Sequence, residues 1–297
     1  MSTAAIHVLD LHFYHEHTIA SFLIDSGSGW VLVETGPHSV FTQLEKGLAA
    51  RGLQVADISD VLLTHIHFDH AGAAWALAEA GATIHVHPVG LPHMASPERL
   101  YSSAARIYGD KMEELWGQMH PIEESRLQAV EHGAVVKVGA LEFVAHHTPG
   151  HASHHIAWQL GDVVFTGDVA GCRIELGPVV PPCPPPDFDI EAWKDSIALI
   201  KGLEPELLYL THFGPVRDIE AHFSQLEHML DDWAGWIKVQ MELGLDATAM
   251  TPKFQNYARE QLLALGATEH QAEQYEAANP AWMSVAGLIR YWKKKES

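Results

Sequence analysis

Apolar and polar positions fall into short runs over the first 215 or so residues and into longer helical repeats after them. Residues 19–35, IASFLIDSGSGWVLVET, are two β-rich runs joined by Ser26-Gly27-Ser28-Gly29, which predicts a hairpin. No helix follows that turn directly, so it is not a phosphate cradle. SVFTQLEKGLAARG then predicts a helix with Gly52 as its stop. DVLLT (60–64) has the apolar density of a buried strand, AGAAWALAEAGA (71–82) that of a helix, and TIHVH (83–87) that of another strand. A helical insertion is expected over 97–119. A second β-rich block follows, with AVVKV, LEFVAHH, HIAWQL, DVVFT and, after a helix near 189–203, LLYLTH. Two comparable halves of alternating strands and helices predict two sheets packed together with helices on both outer faces.

From about residue 218 the chain is almost wholly helical, so the expected division is 1–217 and a helical region 218–297. Trp282, Val285, Leu288, Ile289 and Trp292 recur at helical spacing, and such a stripe is buried against the core or against a second copy in a homodimer. Lys293, Lys294 and Lys295 follow, where cations suit the end of a helix dipole. PVVPPCPPPDFD (178–189) is neither helix nor central strand, because proline lacks the N–H and restricts its neighbour. It is expected as a stiff loop, and its place just after Asp168 favours a wall of the active site.

The charge balance narrows the function classes. With 18 Lys and Arg against 38 Asp and Glu, the net charge is −20, a field that repels polyanions, so no nucleic-acid partner is expected. No apolar run is long enough to span a bilayer, and MSTAAIHVLDLHFYHEH lacks a basic segment followed by an apolar stretch, so no membrane partner and a cytoplasmic address are expected. The two cysteines, Cys172 and Cys183, allow neither a disulfide framework nor a cysteine-rich zinc knuckle and are expected to be reduced. Histidine, at 22 residues, is the outlier, and imidazole is the commonest metal ligand.

The histidines concentrate in LLTHIHFDHAGA. In an extended segment residues two apart face the same side, so His65 and His67 can grip one ion together, while Asp69 and His70 sit at the turn into a helix and face a second position. Three more segments are β-rich runs ending abruptly in a ligand-type residue: FVAHHTPGH with His151, VVFTGD with Asp168, and LLYLTHFG with His212. Each alone is weak; in this order beside HxHxDH they form one constellation.

These motifs resemble those of the metallo-β-lactamase superfamily over roughly residues 18–215, and within it the glyoxalase II-like hydrolases and the archaeal and bacterial metallo-hydrolases carrying TPGHASHH and GDVAG strings. The resemblance implies an α/β fold, an αββα sandwich of two mixed sheets flanked by helices. It implies two divalent ions, zinc first with iron or manganese as alternatives. His65, His67 and His151 would bind one ion, Asp69, His70 and His212 the other, with Asp168 bridging both. Two cations about 3.5–4 Å apart share one water and lower its pKa to about 7, which makes a bridging hydroxide the nucleophile. Asp69 and Asp168 are the carboxylates expected at the reacting centre.

The expected activity is hydrolysis of a small-molecule ester, thioester or lactone. Phosphoester or phosphotriester hydrolysis and a mononuclear-iron, persulfide-dioxygenase-like redox reaction remain as alternatives. The sequence departs from the family in having Glu34 where Asp usually precedes Thr-Gly. True β-lactamases carry Cys where Asp168 stands, which disfavours antibiotic hydrolysis. His154 and His155 are expected to be structural, with one of them orienting a ligand or the substrate as the second reading. His85 and His87 are expected to lie on a polar strand face, with an accessory site as the second reading, and His12, His15 and His17 to be surface residues. His222, His228 and His270 are expected not to bind metal. Tyr101, Arg106 and Tyr108 in the insertion are read as helix core and solvated face, with a pocket lid as the second reading.

Overall fold

The computed structural model describes residues 5–296; the first four residues of the stretch read for a leader lie outside them. The first sheet contains β1 (Ile6–Asp10), β2 (Ala20–Asp25), β3 (Trp30–Val33), β4 (Ile58–Leu62), β5 (Thr83–Val86) and β6 (Leu127–Ala129), paired in that order. The second contains β7 (Val135–Val138), β8 (Leu141–His147), β9 (Ile156–Leu160), β10 (Val163–Gly167), β11 (Leu207–Leu210) and β12 (Gly214–Val216), also in order. Both sheets are mixed: β3, β4, β5 and β6 run parallel in the first, and β10 and β11 are the parallel pair of the second.

The period of two in the strand sequences sorts side chains between layers. In β2, Ala20, Phe22 and Ile24 point into the core between the sheets, while Leu23 points to the outer helical layer. In β11, Leu207 and Tyr209 face the same inter-sheet core and Leu208 and Leu210 face outward. Three apolar clusters result, one between the sheets and one under each helical layer, as the αββα sandwich requires.

The helices of the first half are shorter than their sequence pattern suggests. α1 (Phe41–Ala49) matches its expected stretch. The alanine-rich run divides into α2 (Phe68–Ala71) and α3 (Ala74–Glu79), because the Ala73 N–H turns away to the carbonyl of Gly36 at 3.0 Å. After α4 (Leu91–Ala95), the insertion divides into α5 (Glu98–Tyr108) and α6 (Met112–Trp116), with Gly109 at positive φ at the break and Gly117 at positive φ where α6 ends. α7 (Ile190–Gly202) precedes β11, capped by Asp189, whose carboxylate accepts from the Ala192 N–H at 3.0 Å.

The C-terminal region is α8 (Ile219–Glu242), α9 (Ala247–Ala264), α10 (Glu269–Ala278) and α11 (Ala281–Lys295). Its buried residues, from Phe223 and Trp233 to Val285 and Leu288, join the same cluster as Leu208 and Leu210 of the second sheet. Trp292 donates to the Ala234 carbonyl at 2.8 Å. Trp282 departs from the expected stripe: it lines a cavity opposite Tyr108. Among the described residues no helix is long and apolar enough to cross a membrane.

The proline-rich loop is the floor on which α11 rests. Asn279 donates to the Pro181 carbonyl at 3.1 Å and the Cys183 N–H to Ser284 at 3.4 Å. A Cβ placed on Gly287 would lie 2.0 Å from the Cys183 carbonyl oxygen, so only glycine lets the helix and loop approach this closely. Gly287→Ala is therefore expected to destabilise the protein by roughly 1–3 kcal/mol. Urea unfolding measures it, and a midpoint equal to wild type would contradict this docking.

Candidate metal centre

Every residue of the expected set stands just beyond the C-terminal end of a strand. His65 and His67 follow β4, and Asp69 and His70 occupy the first turn of α2. His151 follows β8, Asp168 directly follows β10, and His212 follows β11. Both sheets thus deliver side chains to one end of the sandwich, where the ligand atoms gather in three overlapping groups: His65–His67–His151, His65–His70–Asp168 and Asp69–His70–His212. Gly167, with φ +50°, makes this crowding feasible, since a Cβ there would sit 2.5 Å from Thr64 Oγ1 and 2.7 Å from His155 Nε2.

Hydrogen bonds on the outer side of the rings fix which nitrogen faces inward. His151 Nδ1 donates to the Pro182 carbonyl at 2.9 Å, and His212 Nδ1 donates to the Thr18 carbonyl at 2.6 Å. A carbonyl only accepts, so Nδ1 carries a proton in both rings, and in the neutral ring Nε2 is the atom that offers a lone pair to the centre. His70 Nδ1 faces Glu34 Oε1 at 3.4 Å, and His65 Nδ1 lies 3.0 Å from Thr64 Oγ1. His67 alone turns Nδ1 inward, 2.9 Å from His65 Nε2 and 3.0 Å from His151 Nε2. Three ring nitrogens at that spacing cannot satisfy one another with the protons available. The Asp168 carboxylate divides: Oδ2 lies 3.2 Å from His151 Nε2, and Oδ1 lies 3.2 Å from His70 Nε2 and 3.4 Å from His212 Nε2.

Electrostatics separates the two sides. Burial, followed by the neighbouring imidazoles, drives His65 and His67 well below the usual histidine range. At His70 and His212 burial acts in the same sense, but Asp168 and Asp69 outweigh it and raise both. Burial alone would raise Asp69 and Asp168; His70 and the other facing imidazoles override it and hold both carboxyls low. Among the described residues, buried Asp168 Oδ1, His70 Nε2 and His212 Nε2 have no hydrogen-bond partner. Inward lone pairs, low carboxyls and orphaned polar atoms are what bound metal cations would satisfy, and the His and Asp donor set suits zinc, iron or manganese.

Residues outside the seven complete the support. His155, buried, accepts the Asp168 N–H on Nε2 at 3.2 Å and turns Nδ1 to Thr148 Oγ1 at 2.8 Å. Glu34 is fully buried at φ +66°, beside His70. His222, expected not to bind metal, is buried and donates to the Ala170 carbonyl at 2.7 Å, bracing the loop after Asp168. His154 lies 5.7 Å from the His67 ring but joins none of the ligand groups found among the described residues. His85 pairs with Asp60 at 2.8 Å, and His87 lies 4.1 Å from the His147 ring. His12, His15, His17, His228 and His270 are absent from the three ligand groups found among the described residues. Both cysteines are buried and free.

A cavity of about 440 Å³ opens onto Asp69 and His212. Its walls are the insertion, through Tyr108, Lys111 and Trp116, and the α10–α11 junction, through Glu276, Pro280 and Trp282. Among the described residues that line this cavity none belongs to the proline-rich loop, expected as a wall; its proline carbonyls hold His151 and the C-terminal helices instead.

The profile of the metallo-β-lactamase superfamily matches residues 16–212. The chain belongs to the metallo-β-lactamase superfamily. Members of the superfamily are typically metal-dependent hydrolases. A metallo-β-lactamase fold-containing protein of Sulfurisphaera tokodaii is 28% identical over 172 residues, covering 56% of this chain and 65% of that protein. An atrochrysone carboxyl ACP thioesterase of Aspergillus fumigatus is 26% identical, covering 69% of this chain and 54% of its own length. This chain thus spans between half and two thirds of those relatives. A metallo-β-lactamase family protein of Thermus thermophilus shares the fold over 98% of this chain and 94% of its own, with TM-score 0.68 at 19% identity.

Within this superfamily site, His155→Ala would leave the buried Asp168 N–H without an acceptor. The expected loss is roughly 1–3 kcal/mol in urea unfolding, with zinc affinity lowered about 10–100-fold in chelator competition. Wild-type values in both would show that His155 does not hold Asp168 in place.

Proposed function

We propose that the chain is a two-metal hydrolase of a small-molecule ester, thioester or lactone. The observation that carries the reading is the divided Asp168 carboxylate, with one oxygen toward His151 and the other toward His70 and His212. In this reading His65, His67 and His151 hold one divalent ion, Asp69, His70 and His212 hold the other, and Asp168 joins both groups. Bound there, two divalent ions would lower the pKa of a shared water and polarise the oxygen of the group it attacks.

The protein's own residues do the rest. The carbonyls of Pro182 and Thr18 lock the tautomers of His151 and His212. Asp69, with a side chain 21% exposed against 3% for Asp168, is the carboxylate that reaches the cavity, placed to orient the attacking water through a hydrogen bond. A thioesterase among the relatives supports the thioester branch. The inward turn of both His70 and His212 supports two ions over a single iron held by two histidines and one aspartate. The −20 net charge supports a small-molecule substrate over nucleic acid, and a cytoplasmic address belongs to the same reading.

Elemental analysis of the purified protein is expected to give close to two divalent ions per chain. One iron per chain, with His70→Ala leaving metal content unchanged, would defeat the two-metal reading. Asp168→Ala is expected to keep the circular dichroism spectrum while lowering turnover of a good thioester or lactone substrate at least about 100-fold. Wild-type turnover in that variant would exclude a joint role for this carboxylate.

A further inference from the structure

Five aromatic rings line the cavity over Asp69 and His212: Phe13, Tyr14, Tyr108, Trp116 and Trp282. Tyr108 is at their centre, edge to face with Trp116 at 5.2 Å and with Trp282 at 5.5 Å, its hydroxyl 3.3 Å from Met283 Sδ. Phe13 stacks on Trp116 at 5.6 Å and 10°. Phe13 and Trp116 are buried, whereas Tyr108 and Trp282 are half-buried and keep ring surface toward the cavity. These rings come from the N-terminal loop, the insertion and α11, three segments that supply none of the seven inward-facing side chains.

The polar groups of the lining are unevenly placed. Tyr14 donates to Glu114 at 3.0 Å, and both stand exposed at the rim with Lys111. Glu276 is deeper, where it lines both this cavity and a second one of about 330 Å³ among the C-terminal helices. Its Oε1 accepts from the Ala281 N–H at 3.2 Å. Burial pushes its carboxyl up to about 7, so near neutrality a large share of molecules carry a proton that can be donated to a ligand.

We propose that this cavity is an acyl site for a flat aromatic group, so that the substrate is an ester or thioester of a hydroxylated aromatic carboxylic acid. The ring lies against Tyr108 and Trp282, and Glu276 meets a ring hydroxyl. The proposal rests on the hydrolase reading above for the bond that is cleaved, which is the acyl C–O or C–S bond: water supplies the oxygen of the released acid and the proton of the released alcohol or thiol. Aromatic walls favour a rigid planar acyl group over a flexible chain, because offset and edge-to-face contacts at 4.5–7 Å add to simple burial and a fixed ring loses little rotational freedom. The volume suits a fused-ring acyl group and excludes a folded protein surface. Trp282, Tyr108 and Glu276 are then specificity-determining residues.

Two measurements test it separately from the hydrolase reading. In calorimetry, 2-naphthamide is expected to bind at least about tenfold more tightly than hexanamide, and Trp282→Ala to remove that advantage. 6-Hydroxy-2-naphthamide is expected to bind more tightly still, a gain that Glu276→Gln retains and Glu276→Leu erases. With N-acetylcysteamine thioesters, the naphthoyl compound is expected to show a KM about tenfold below the hexanoyl one. Trp282→Ala should raise the aromatic KM to the level of the hexanoyl one. Equal affinity for the two amides, unchanged by Trp282→Ala, overturns the acyl site even if thioesters are hydrolysed. Tight, Trp282-dependent naphthamide binding without hydrolysis of any ester upholds the acyl site and overturns the hydrolase reading instead.

Discussion

The constraint on which the molecule turns is electrostatic. Asp69 and Asp168 are brought together with five imidazoles at one end of the sandwich, and among the described residues the ion-pair partners of Asp168 are His70, His151 and His212, with no Lys or Arg. Burying carboxylates is costly unless charge is returned to them. Two imidazoles answer by rising in pKa, while His65 and His67 stay neutral. A site that stores negative charge on one flank and bare nitrogen lone pairs on the other is built for cations.

The fold meets that constraint by division of labour. Strand ends from both sheets supply the inward-facing groups, and backbone carbonyls far away in sequence supply their orientation. Thr18, just before β2 of the first sheet, fixes His212, just after β11 of the second, so the two sheets hold the site only in their packed arrangement. The core between them, with Phe22, Trp158, Phe165 and Tyr209, is what keeps that spacing. Trp158 adds a direct tie, donating to the Leu63 carbonyl at 3.0 Å beside the HxHxDH segment.

Much of this was legible in the residues because the informative signals are local. HxHxDH and the three strand-end residues each announce themselves within a few positions, and the period-two pattern marks most strands. β1, β6 and β12 escaped: they are short edge or near-edge strands whose side chains alternate too weakly to stand out. The supporting groups were hidden for a different reason. His155, Glu34 and His222 act through contacts 13, 36 and 52 residues distant, and nothing beside them in the chain foreshadows the partner. Trp282 fits its helical stripe by spacing and leaves it only because the insertion presents Tyr108 across a gap that no local pattern encodes.

The same long-range logic assigns the C-terminal region a part in the chemistry although it supplies none of the seven side chains. The loop that binds the His151 Nδ1 proton through Pro182 is held by Asn279 at Pro181 and by Ser284 and Gly287 at Cys183. Orientation of one inward-facing histidine therefore depends on how closely α11 seats on a proline-rich segment that has little internal hydrogen bonding. The overlapping stretch from Glu276 to Met283 walls the cavity over Asp69. One helix–loop contact thus couples the geometry of the centre to the shape of the space above it. A change of substrate preference reached by repacking α11 would be expected to alter the His151 flank as well, which ties specificity to stability at this junction.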